Sequence, residues 1–113
     1  MAGCEVIITT APEELHAHYD YFTVVRYDVA SVDLYGLTTG QDLGTLIIDA
    51  SCAEDDFPWS MTHLTGSTVL YAGDVRHVTL WYAAGDLYFG YAPVWCSFYG
   101  ETTSGREVII RPY

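Results

Sequence analysis

The sequence predicts an all-β chain, either a single-domain antiparallel β-barrel or a two-layer β-sandwich of about nine strands. Three observations carry this. Apolar and polar residues alternate with period two from end to end, β-branched and aromatic residues fill the alternating stretches, and Gly, Pro, Thr or Asp clusters interrupt them roughly every 8–12 residues. With 113 residues, 50% of them hydrophobic and 17% charged, the chain has enough apolar surface to offset the entropy of ordering one core. Residues 1–113 are therefore expected to form one acidic domain.

Taken in order, the first strand spans Glu5–Thr10. In Thr10-Ala11-Pro12-Glu13 a Thr precedes a Glu by three residues with Pro between them, a pattern like a capping box, so one short helix is expected over Pro12–Ala17. Tyr19–Val29 alternates with one buried and one mixed face, and Val32–Leu37 and Leu43–Asp49 follow as strands around a turn at Thr38–Asp42. Asp49–Trp59 reads as a long irregular connection. A hairpin turning on Ala84-Gly85 would set Tyr82 opposite Leu87, Leu80 opposite Phe89 and Val78 opposite Tyr91, with Trp81 meeting Tyr88 on the other face. Val94–Tyr99 adds Trp95, Ser97 and Tyr99 at alternate positions. After a Gly100–Gly105 turn, Arg106–Arg111 forms the last strand and Pro112 ends it.

The segment Met1–Pro12 has no basic residue and only the short apolar run Val6–Ile8, so it resembles neither a signal nor a transit peptide. The expected location is the cytoplasm of a bacterial host, and no apolar run is long enough to span a bilayer as a helix. Cys4, Cys52 and Cys96 are odd in number and far apart, which points to free, dispensable thiols, with a Cys4–Cys52 bridge as the alternative.

Charge bears most directly on function. Fifteen Asp and Glu face four Arg and no Lys, a formal charge of −11, which argues against direct binding to nucleic acid or an anionic membrane. Most acids, among them Glu13, Asp42, Asp49, Glu54, Asp55, Asp56, Asp74, Asp86 and Glu101, are expected at strand ends or in connections, with Asp28, Asp33 and Glu107 inside strands. Such rims create a negative potential able to steer a basic partner, while also keeping an aromatic-rich surface soluble. The densest acidic run, Glu54-Asp55-Asp56, stands beside Phe57-Pro58-Trp59, a stiff aromatic anchor next to charge. Tyr35, Trp81, Tyr88, Trp95 and Tyr99 fall on the less apolar face, where rigid amphipathic rings suit a protein interface or a sugar ring.

His16, His18 and Asp20 would share one face of an extended segment, the arrangement of an HxH metal pair, but no second ligand cluster follows and no metal or cofactor is expected. Nucleophile elbows and Gly-rich phosphate loops are missing, so the chain is not expected to be an enzyme. In size and charge alone it resembles the small acidic phage proteins that block restriction or CRISPR nucleases by mimicking DNA. The expected function is that of an inhibitor of a basic nuclease or CRISPR effector, with contacts at Glu54, Asp55, Asp56, Trp59, Asp74, Asp86, Trp81, Tyr88 and Trp95. Alternatives are an immunity protein against a basic nuclease toxin and a small carbohydrate- or ligand-binding domain using its exposed Trp and Tyr rings; a homodimer is compatible with each.

Overall fold

The computed structural model describes residues 12–19, 23–26, 29–55, 59–86 and 94–112. Eight strands are formed: β1 (Glu13–Tyr19), β2 (Thr23–Arg26), β3 (Val29–Leu37), β4 (Gly44–Glu54), β5 (Thr62–Leu70), β6 (Arg76–Gly85), β7 (Val94–Thr102) and β8 (Glu107–Pro112). Their order is β1-β8-β7-β4-β5-β6-β3-β2, and an additional β1–β3 pairing closes seven of them into a barrel with β2 attached outside the ring on β3. The all-β expectation holds, and of its two architectures the barrel is the one formed.

Closure depends on β1. Leu15 and Ala17 point into the barrel while Glu14, His16 and His18 face out, so this segment obeys the period of a strand. It pairs parallel to β8 from Glu13 opposite Val108 to Ala17 opposite Pro112, and antiparallel to β3 through His18 opposite Tyr35. The helix expected over Pro12–Ala17 is thus replaced by a strand, because pairing on two sides outweighs a local capping signal. One pair is necessarily parallel, since a ring of an odd number of strands cannot alternate in direction all the way round.

Inside, Val32, Leu34, Leu46, Ile48, Leu64, Leu80 and Val108 are fully buried. Interior size alternates between strands: Ile48 lies opposite Gly66 on one side and Gly100 on the other, and Gly100 lies opposite Val108. The missing side chains leave room for Ile48, Leu80 and Ile110, which is how small barrels fill a narrow bore.

Three further expectations are corrected. Asp49–Trp59 is not a long connection, because β4 continues to Glu54, and its last turn of chain pairs with Val94–Cys96. Ala84 and Gly85 are not a hairpin turn but the end of β6, opposite His63 and Thr62. Trp81 already has Thr65 on one side and Ser31 on the other, so no third strand can pair there; Leu87, Tyr88, Phe89 and Tyr91 lie outside the described residues, as does Glu5–Thr10. Finally, Cys52 and Cys96 are not free thiols. The β4–β7 register sets them directly opposite with Cα atoms 4.1 Å apart, and they form a disulfide across 44 residues of chain, leaving no Cys4–Cys52 bridge. A link over a loop of that length stabilises a fold by about 2–4 kcal/mol.

A tight spot in the middle of the wall is Gly66, where an added Cβ would come within 2.7 Å of both the Thr79 carbonyl oxygen and Leu80 Cδ2. Gly66→Ala is expected to cost about 1–3 kcal/mol in urea unfolding, through overpacking against backbone that cannot retreat. Unchanged stability would contradict the close approach of β5 and β6.

Candidate functional site

The two ends of the barrel and its outer wall use their acids differently. At the end carrying the Thr38–Asp42 turn, Glu13 accepts hydrogen bonds from Thr39 Oγ1 (2.7 Å), Gln41 Nε2 (3.0 Å) and the Gly40 N–H (3.3 Å), with Arg106 at 4.0 Å. These donors, the Thr39 hydroxyl foremost, hold the Glu13 carboxyl below its ordinary range. Asp42 accepts the Ala72 N–H at 2.8 Å, and Asp74 pairs with Arg76 at 3.2 Å. Acids at this end tie turns together, so Asp74, expected as a partner contact, is already engaged within its own loop.

At the opposite end the expected contacts separate. Glu54 is only 2% exposed and is no surface charge, because the extension of β4 carries it into the packed end of the barrel. Asp55 and Asp86 are exposed, and Trp59 is 74% exposed. The Asp86 N–H donates to the Met61 carbonyl at 3.1 Å, and the Asp86 carbonyl accepts from the Thr62 hydroxyl, which places Asp86 beside the start of β5. Asp56 lies outside the described residues. The acidic run therefore does not present three carboxylates together.

A different set of groups converges on the outer wall. Trp81 on β6, Thr65 on β5, Asp49 on β4 and Tyr99 on β7 are consecutive cross-strand neighbours, forming one row that faces away from the core. Its end rings are exposed, Trp81 at 54% and Tyr99 at 48%. Two residues along β4, Ser51 lies between His63 and Ser97, with Ser51 Oγ 3.0 Å from His63 Nδ1. Farther along β7, Trp95 is 38% exposed. Trp81 and Trp95 thus sit on the same wall as expected, but through β4 and β5 rather than through Tyr88, which lies outside the described residues.

In the other direction from Tyr99, Glu101 lies directly opposite Glu107 of β8. Directly opposed side chains have Cβ atoms about 4.5–5.5 Å apart, and diagonal ones such as Asp49 and Glu101 about 7–8 Å, so three carboxylates share a small area. Like charges in these positions repel. Arg76, Arg106 and Arg111 lie against Asp74, Glu13 and Glu14, and among the described residues no cation comes within ion-pair distance of Asp49, Glu101 or Glu107. Sequence reasoning placed Asp49 and Glu101 at strand ends and missed this group, because it exists only through the register of three strands.

On the far wall, the HxH pair faces outward as an extended segment should. His18 meets Tyr35 edge-on at 4.9 Å, Tyr35 lies 5.9 Å from His77, and His77 Nε2 is 3.7 Å from Asp33 Oδ2. Asp20 lies outside the described residues, and among the described residues no group of three or more metal-ligating side chains forms. No described helix is long and apolar enough to cross a membrane.

The wall leaves a titration signature. The Glu101 charge, followed by partial burial, Glu107, a hydrogen bond with Glu101 and Asp49, raises the Tyr99 phenol above the usual 10.0, because a phenolate would add another negative charge to the group. Glu101→Gln is expected to lower the ionisation pH of Tyr99, and Glu107→Gln to lower it by less. Each variant would be titrated by tyrosinate absorbance against the same variant carrying Tyr99→Phe. An unmoved titration would contradict the carboxylate arrangement.

No protein-family model, curated protein or solved structure matches the chain. The wall is understood from its own chemistry.

Proposed function

We propose that the chain is a non-enzymatic acidic inhibitor of a basic nucleic-acid-handling protein, a DNA mimic of the anti-CRISPR or anti-restriction kind. The observation that supports this best is the Glu101–Glu107 opposition with Asp49 beside it and no compensating cation among the described residues. A directly opposed like-charge pair lowers stability, so its presence fits a surface whose charge is used on a partner. Neighbouring acids in this group, with Cβ atoms roughly 5–8 Å apart, offer a partner a cluster of negative charge on a rigid wall, as the phosphates of duplex DNA do. Exposed Tyr99, Trp81 and Trp95 supply aromatic anchors in the same wall, which interfaces favour over charge alone. Asp55, Trp59 and Asp86 extend the negative and aromatic surface at the barrel end.

An immunity protein against a basic nuclease toxin would use the same complementarity. The row of Trp81, Thr65, Asp49 and Tyr99 also favours a second reading, stacking on a sugar with hydrogen bonds between the rings. The Cys52–Cys96 bond runs against the cytoplasmic setting that a CRISPR or restriction target requires, since cytosolic thiols are kept reduced, and it weighs toward the sugar-binding reading.

Duplex cleavage by a CRISPR effector and by restriction endonucleases is expected to be inhibited competitively with DNA, and less so as salt rises from ~50 to ~200 mM. Glu101→Gln with Glu107→Gln should weaken inhibition, and the chain itself should give no gel shift with duplex DNA. Direct DNA binding, or cleavage unaffected at low salt, would overturn the proposal. Inhibition insensitive to salt would shift the argument to the aromatic rings.

A further inference from the structure

The wall specifies more about its partner than a positive charge. Its exposed groups include three rings, and they are set among hydrogen-bond acceptors on a sheet face that no described element covers. Trp81 and Tyr99 close the two ends of a row whose middle positions are Thr65 and Asp49. The rings are three strand spacings apart, about 14 Å. Trp95 lies on the same strand as Tyr99 with Ser97 between them, again about 14 Å away at the rise of an extended strand. Glu101 and Glu107 stand on the opposite side of Tyr99 from Trp95.

Lysine and arginine interact differently with such a surface. A lysine ammonium is a compact, strongly hydrated charge that gains from carboxylates at long range but is costly to strip of water against a ring. A guanidinium is planar and weakly hydrated; it can lie on an aromatic face while its edge donates two parallel hydrogen bonds to a carboxylate. The juxtaposition at Tyr99, a ring with Asp49 on the neighbouring strand and Glu101 two residues along its own, provides for both contacts at once. Trp81, two strands from Asp49, provides the second ring.

We propose that the Trp81–Thr65–Asp49–Tyr99 wall docks arginine side chains of its basic partner in preference to lysine. This rests on the reading of the chain as a binder of a basic protein, and adds to it the side chain by which that partner is recognised. The charge of the wall matches the partner's sign, and its rings select the guanidinium.

The test uses the intact chain and two peptides of equal length and charge, one with arginines spaced by Gly and Ser, the other with lysines at the same positions. Calorimetry at low salt is expected to show the arginine peptide binding roughly tenfold more tightly, the scale of one well-placed ring contact. Tyr99→Leu and Trp81→Leu should narrow that ratio toward unity, whereas Glu101→Gln should weaken both peptides, the arginine peptide somewhat more because it loses a two-point hydrogen bond as well as charge. Far-ultraviolet circular dichroism would establish that each variant is folded. Equal affinity of the unaltered chain for the two peptides would overturn the arginine preference while leaving the charge-based function standing. A ratio unchanged by both ring variants would remove the preference from this wall. Binding of neither peptide at low salt would defeat the preference and the underlying function together.

Discussion

Barrel closure through β1 is the constraint on which the remaining structure depends. This seven-residue strand is the only element among the described residues that touches both β8 and β3, and so it is the one that closes the ring of seven. Once the ring closes, the inner and outer sides of its strands cease to be interchangeable, because a one-residue slip would turn Leu46, Ile48 and Ala50 out and Ile47 and Asp49 in. Glu13 secures the start of this strand through three donors from the Thr39–Gln41 turn. The closed ring also removes most free sheet edges, which suits a chain whose outer wall carries large rings.

The fold class was legible because period two is a local property. Alternation in Val32–Leu37 and Val94–Tyr99 falls within β3 and β7, and that in Leu43–Asp49 and Arg106–Arg111 overlaps β4 and β8 in all but the first residue. Thr62–Leu70 was not legible, since its Thr, Gly and Ser positions carry little apolar contrast, yet it forms a nine-residue strand packed between β4 and β6. The Ala84-Gly85 signal was half informative. Gly85 does adopt a left-handed φ of 107°, but at the end of β6 against Met61 and Thr62 rather than in a tight turn. Cys52 and Cys96, like Glu101 and Glu107, are related by register alone, so neither the disulfide nor the acidic wall could be found by scanning along the chain.

Net charge and its distribution answer different questions. Counting residues establishes that four arginines cannot neutralise fifteen carboxylates. It does not say where the imbalance lies. The structure pairs Arg76, Arg106 and Arg111 with Asp74, Glu13 and Glu14 rather than with Asp49, Glu101 or Glu107. The Arg76–Asp74 and Arg111–Glu14 pairs are exposed and contribute little stability, so their main effect is to leave the Asp49, Glu101 and Glu107 group uncompensated. The same acidity contributes to solubility, which is compatible with a binding role because both follow from a strong surface field.

This wall holds the Asp49, Glu101 and Glu107 carboxylates in mutual repulsion. Thermal unfolding of the chain as a function of sodium chloride tests it most directly, because added salt shortens the Debye length from ~30 Å at 0.01 M to ~3 Å at 1 M. The melting temperature is expected to rise across that range, and to rise by clearly less when Glu101→Gln and Glu107→Gln are combined. A salt response identical in the two proteins would contradict the claim.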